Sequence, residues 1–220
     1  MVEQVLGQHM LHCHLVLMEQ TQKNSLLPQI VRGLSGGVVV ADAQQVLSQD
    51  LAAREQLLQR LWGDSTRNCR GLLVFIDSSF NHTNIDNSAN HTLINTSISM
   101  ALRFLEWCGL WQYPETRVVV VGGRADVGTV LLHHSLRNTL HALYIALEDD
   151  ILHEIRQGSL PNTWLKDGSS RGEGDQVSVF RRCLYCDHGE AGLQLLQQDF
   201  LTSGLLQREG LFIGFCHVLY

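Results

Sequence analysis

Three apolar runs, each hemmed by glycine or polar turn residues, constrain this chain more than anything else in it. They are VVVA within residues 36–43, LLVFI within 71–77 and VVVV within 117–123. Each is nearly continuous in Val, Leu and Ile and does not alternate with polar residues, so each reads as a strand buried on both faces, the condition of a parallel sheet. A fourth stretch, QVSVFRRCLY at 176–185, reads as another strand. Stripes at helical spacing come after all four. They are Leu47, Leu51, Leu58, Leu61 and Trp62, then Ile94, Ile98, Ala101, Leu102 and Leu105, then Leu132, Leu136, Leu140, Leu143 and Leu147, and finally Gly192, Leu195, Leu196 and Phe200. Strands alternating with helices call for right-handed crossovers. The expectation is an α/β, Rossmann-like three-layer domain with a mainly parallel sheet of about four strands. Residues 1–35 read as an N-terminal helix and lead-in, 36–203 as the α/β lobe, and 204–220 as a C-terminal tail. The Gly-, Ser- and Asp-rich 158–175 is a surface loop inside the lobe.

Charge narrows the function classes. A net charge of -6 and a pI near 6.0 leave no basic field to hold nucleic acid or an anionic bilayer. Apolar runs such as LFIGF at 211–215 fall short of the roughly 18 to 20 residues that span a bilayer. The amino terminus carries Glu3 and several histidines where a signal peptide has a basic start and an unbroken apolar core. A secreted reading therefore expects a start further upstream, or a fragment.

Several motifs have a chemical reading and a blander one. GLSGG at 33–37 has the letters of a nucleophile elbow around Ser35, but its glycines lead into a strand and not from strand to helix. VVVVGGRADVG at 118–128 is strand, glycine turn and helix start, an arrangement that can hold phosphate. Its GGxxxxG spacing matches neither dinucleotide nor P-loop fingerprint, and the acidic Glu148 or Asp149 is placed poorly for a ribose. A turn that lets a helix pack on its strand is the stronger reading. His9, His12 and His14 around Cys13, and Cys183, Cys186 and His188, lack the second ligand pair of a structural zinc site. No metal, cofactor or catalytic residue is assigned.

Asparagine carries a different signal. With 9 Asn and 25 Ser plus Thr in the chain, about one Asn-x-Ser/Thr triplet is expected by chance, yet Asn81, Asn90 and Asn95 begin three within fifteen residues. None has Pro in the middle, so each is a competent glycan acceptor in a secreted protein. Disulfides account for the cysteines better than metal does. The start of the strand near Gly71 and the end of the helix near Trp107 fall at one edge of the sheet, which brings Cys69 towards Cys108. Cys183 and Cys186 can close a tight ring. The bland alternative is a cytosolic chain with six reduced cysteines.

One resemblance is more specific. RVVVVGG at 117–123, LRNTLHALYIALED at 136–149 and VFRRCLYCDHGEAGLQLLQQDFLTS at 179–203 resemble the amino-terminal region of variant ionotropic glutamate receptors of arthropods, the chemosensory-type receptors numerous in crustaceans. The Leu-His-Ala-Leu-Tyr segment and the Phe-Arg-Arg-Cys-Leu-Tyr-Cys block carry most of it. The closing GLFIGFCHVLY departs from the family pattern. The resemblance implies an extracellular lobe like one lobe of a periplasmic-binding-protein-like amino-terminal domain, on the outer side of the plasma membrane. It would belong to a ligand-gated cation channel and assemble with other receptor subunits. The agonist site, ligand-binding core and pore are not expected in these residues, nor any membrane contact by the segment itself. The chain is expected not to be an enzyme. The alternative is a cytosolic nucleotide-binding domain or enzyme using the loop after Val121, and a third is a truncated product without function of its own.

Overall fold

The computed structural model describes residues 10, 13–19, 38–48, 55–56, 58–59, 62, 69–76, 96–110, 113, 115–139, 141–148, 176–187 and 190–200. Their elements run β1 (His14–Glu19), β2 (Val38–Asp42), α1 (Ala43–Leu47), β3 (Arg70–Phe75), α2 (Thr96–Trp107), β4 (Arg117–Gly123), α3 (Val127–Leu131), β5 (His141–Leu147), β6 (Gln176–Asp187) and β7 (Glu190–Phe200). Further helical residues occur at Glu55, Gln56, Leu58, Gln59 and Trp62.

All seven strands join one open sheet in the order β2-β1-β3-β4-β5-β6-β7. The first five are parallel; β6 and β7 are antiparallel additions. The molecule is thus α/β with a mainly parallel sheet, as the apolar runs require. The count of about four strands is too low, because three segments that read as helix or lead-in are strands.

The first of these is β1. Residues 1–35 are expected to be a helix and lead-in outside the lobe, yet His14–Glu19 lies between β2 and β3 and pairs with both. Its apolar run of four, Leu15 to Met18, is buried on both faces, and a run that short fits either a helix or a strand. The second is β5, in place of the expected helical stripe over Leu136, Leu140, Leu143 and Leu147. Leu143 and Leu147 are four apart, a spacing that satisfies the helical period and also the strand period of two. A short helix and a turn precede Thr139, and HALYIAL then pairs with β4. The third is β7, where Gly192, Leu195, Leu196 and Phe200 lie on an outer strand.

The strand faces separate cleanly. Val16, Met18, Leu72, Val74, Val118, Val120, Ala142 and Tyr144 form one core with Ala43 and Val46 of α1, Ala101, Phe104 and Leu105 of α2, and Val127, Val130 and Leu131 of α3. Leu17, Leu73, Val119, Val121, Leu143 and Ile145 point the other way and are equally buried. Burial on both faces is what continuous apolar strands predict. Of the stripe expected on α2, Ala101 and Leu105 are buried and Ile98 and Leu102 pack partly buried against the core, Ile94 lies outside the described residues, and the buried face also takes in Phe104, with Cys108 just past the helix.

Candidate functional site

In a sheet of order 2-1-3-4-5 the direction of winding reverses between β1 and β3, and ligands of open α/β sheets bind beside the carboxyl ends of the strands there. The segments that follow Glu19 and Ile76 lie outside the described residues, which on this edge include the turn from β2 into α1 and the corner formed by β4 and β5. At that corner Gly122 of the glycine turn, read by preference as a packing turn and not a phosphate loop, is explained by packing. A Cβ on Gly122 would lie 2.5 Å from the Tyr144 hydroxyl and 3.1 Å from Cβ of Ile76. That hydroxyl donates to the carbonyl of Gly123 at 2.8 Å. Burial, and then the charge of Asp126, push the phenol well above its usual range. The next helix, α3, has only five residues. Glu148 meets Arg124 at 3.9 Å across an exposed pair. The corner is closed by its own side chains.

The amino edge is chemically richer. Residues His14 and Arg70 are in register in the parallel β1–β3 pair, so the residues just before them face one another. Those residues are Cys13 and Cys69, which form a disulfide with Cα atoms 4.4 Å apart, inside the bridging range. The expected Cys69–Cys108 pairing is therefore corrected. Cys108 does reach this edge, but as a buried thiol within the helix-side core. The expectation fails because it lacks β1, and without that strand Cys13 has no place beside Cys69. Cys183 is also disulfide-bonded; the side chain of Cys186 lies outside the described residues. Next to the bridge, buried Arg70 lies with its guanidinium 3.7 Å from the Tyr113 ring centroid and 6.0 Å from that of Trp62, and 3.7 Å from the Glu115 carboxylate.

A second cluster on this edge is one that no sequence motif indicates. Helix α2 delivers Glu106 in its last turn. After α3 the chain turns at extended His133 (φ -61°, ψ 143°) into a 3-10 turn, His134–Leu136. The turn sets the two imidazoles side by side, centroids 4.2 Å apart. Glu106 Oε1 is 2.9 Å from His134 Nε2 and 3.8 Å from His133 Nε2. His133 Nδ1 is 2.8 Å from Ser135 Oγ and accepts from the Ser135 amide at 3.3 Å. From β6, Arg182 donates to the carbonyls of Leu131 and His133 at 3.2 and 3.1 Å, which fixes the turn. Burial and the neighbouring His134 lower the His133 pKa, partly offset by Glu106. The His-His dipeptide is the available signal, but its carboxylate comes from a helix far back in the chain.

Asn81, Asn90, Asn95, Ser35, His9, His12 and His188 lie outside the described residues. His14 opens β1, and Cys13 is in the bridge, so the histidine cluster around Cys13 is not a shared ligand set with that sulfur.

No protein-family model and no curated protein sequence matches the chain. Among solved structures, one from Corynebacterium diphtheriae assigned as a PLP-dependent β-cystathionase is similar at 12% identity and a TM-score of 0.37, over 66% of this chain and 34% of that one. The chain thus spans about a third of that protein's length, and so low a score carries neither its activity nor its cofactor across.

Proposed function

We propose that the chain forms an extracellular, disulfide-stapled α/β lobe of the kind that stands at the amino terminus of ionotropic glutamate-like receptors. In that reading it resembles one lobe of a periplasmic-binding-protein-like domain on the outer side of the plasma membrane. It acts through assembly with other subunits or modulation of a ligand-gated cation channel.

The observation that carries the reading is the Cys13–Cys69 bridge. It joins the amino ends of the neighbouring strands β1 and β3, and structural disulfides belong to oxidising compartments. A second disulfide at Cys183, within the receptor-like block at 179–203, adds to it. The sequons at Asn81, Asn90 and Asn95 point the same way. No helix among the described residues is long and apolar enough to cross a membrane. The competing nucleotide reading draws no support from the loop after Val121, where Tyr144 occupies the space above Gly122.

The test is intact mass and peptide mapping of protein secreted from insect cells behind a supplied signal peptide. The expected result is a Cys13–Cys69 linked peptide, an alkylatable Cys108 and loss of mass on treatment with a glycan-removing amidase. A bare chain with all six thiols free would send the function back to a cytosolic α/β domain.

A further inference from the structure

We propose that Glu106, His133 and His134 form a surface site for one divalent transition-metal ion, zinc above all, at the amino edge of the sheet. The three side chains offer one carboxylate oxygen and two imidazole nitrogens, all within 4.8 Å of one another. Tetrahedral zinc with bonds near 2.0–2.2 Å sets its donors about 3.3 Å apart. The observed 2.9 and 3.8 Å straddle that separation, so small side-chain movements suffice. Two nitrogen donors favour zinc, cobalt, nickel or copper over calcium or magnesium, which prefer all-oxygen sets. Three protein ligands leave the fourth position to water, and the exposure of Glu106 and His134 lets the ion exchange with solvent.

The surroundings are those a ligating histidine needs. A metal on Nε2 of His133 requires the proton on Nδ1, and Ser135 Oγ at 2.8 Å can accept it, since a hydroxyl serves either tautomer. In the metal-free protein the Ser135 amide donates to Nδ1, so loading shifts the proton from Nε2 to Nδ1 and exchanges the amide contact for the hydroxyl one. Arg182, which grips the His133 carbonyl from β6, acts as a positioning residue for the turn.

The inference is independent of where the lobe resides, and its test uses the whole 220-residue chain. Zinc is titrated against a chromophoric chelator, and histidine ring resonances are followed in the unmodified protein. The expected result is one zinc at micromolar affinity or tighter that shifts the His133 and His134 signals. Binding is lost in His134→Ala and in Glu106→Gln, weakened about tenfold or more in Ser135→Ala, and kept in His9→Asn/His12→Asn. The metal-free variants should melt with the parent. Zinc that leaves the His133 and His134 resonances unmoved, or an affinity unchanged by both ligand substitutions, would overturn the proposal. Ring resonances need no variant, so a substitution that unfolds the chain does not shelter the idea.

Discussion

At the amino edge of the sheet the described residues carry a disulfide, a buried arginine against aromatic rings and a His-His-Glu cluster, whereas at the carboxyl corner of β4 and β5 they carry a glycine pair roofed by a tyrosine. Both edges belong to the same parallel strands, so the difference comes from the segments that join the strands at either end. At the β4–β5 corner Tyr144 donates to the carbonyl of Gly123, a partner made by the chain itself; elsewhere on that edge, at the end of β2, Asp42 accepts from the amides of Gln44 and Gln45. A ligand entering the β4–β5 corner would first have to break internal hydrogen bonds. At the amino edge the exposed Glu106 and His134 and the half-buried His133 gather against one another at the surface. Among the described residues the β4–β5 corner is thus less equipped than the amino edge, while the segments after β1 and β3, beside which a fold of this order binds ligands, lie outside them.

Removing the bridge is the most direct way to erase this contrast. Its two cysteines are 56 residues apart, and opening a loop of that size costs about 4 kcal/mol in the chain-entropy account. Cys13→Ser with Cys69→Ser should lower the urea midpoint steeply, and the reduced parent, which also loses the bridge at Cys183, should be at least as unstable. If the double variant unfolds with the oxidised parent, the amino edge is held by packing and the disulfide is incidental.

A smaller effect is expected at the other corner. Gly122→Ala places a methyl where the Tyr144 hydroxyl sits, so it combines overpacking with loss of a buried hydrogen bond, about 2–4 kcal/mol together. Tyr144→Phe alone should cost only about 1 kcal/mol. In the double variant the clash with the hydroxyl is gone and only the 3.1 Å approach to Ile76 Cβ remains, so the two costs should be non-additive. Additive costs in a double-mutant cycle would mean that the approach to Ile76, and not the Tyr144 hydroxyl, sets the cost of Gly122→Ala.

These two sites also show how far the sequence can be read. The continuous Val and Leu runs of β3 and β4 announce a parallel sheet because burial on both faces leaves no polar positions. The GG of β4 reads as a packing feature, and Gly122 is one, although its partner is a tyrosine on the neighbouring strand β5 and not the next helix. Hidden from such reading is β1, whose four apolar residues fit two periods, and with it the correct partner of Cys69. The metal-type cluster is hidden for another reason. Glu106 and His133 meet only because α2 and the turn after α3 end at the same edge, and no local pattern records that meeting.

The buried arginine sharpens the contrast at an intermediate cost. Arg70 is 7% exposed at the start of β3, between the disulfide and Tyr113. Arg70→Met keeps much of the stem but removes the charge that faces the ring and Glu115, with an expected loss of about 1–2 kcal/mol. Arg70→Lys should recover little of it, because an ammonium cannot lie flat on the ring. A chemical-denaturation series in which Lys restores full stability would show that charge alone matters at this position.

The smallest effect expected is the response of the amino edge to mild acid. Burial, followed by the nearby Arg117, lowers the pKa of His141, and burial and His134 lower that of His133. The unfolded chain binds these protons near the ordinary histidine value of about 6.5, while the folded chain resists them to lower pH. Their contribution to stability is therefore complete above that value and is lost as pH falls through the folded pKa. Glu106, 3.8 Å from His133 Nε2, works against part of the loss by favouring the charged form of His133. The melting temperature, measured with a chelator present, should decline modestly from about pH 7 to about pH 5, before most carboxylates titrate. His141→Gln should flatten part of that decline. A parent curve level across this interval would mean that the edge accepts protons freely, and that solvent reaches both imidazoles despite their position beside the sheet.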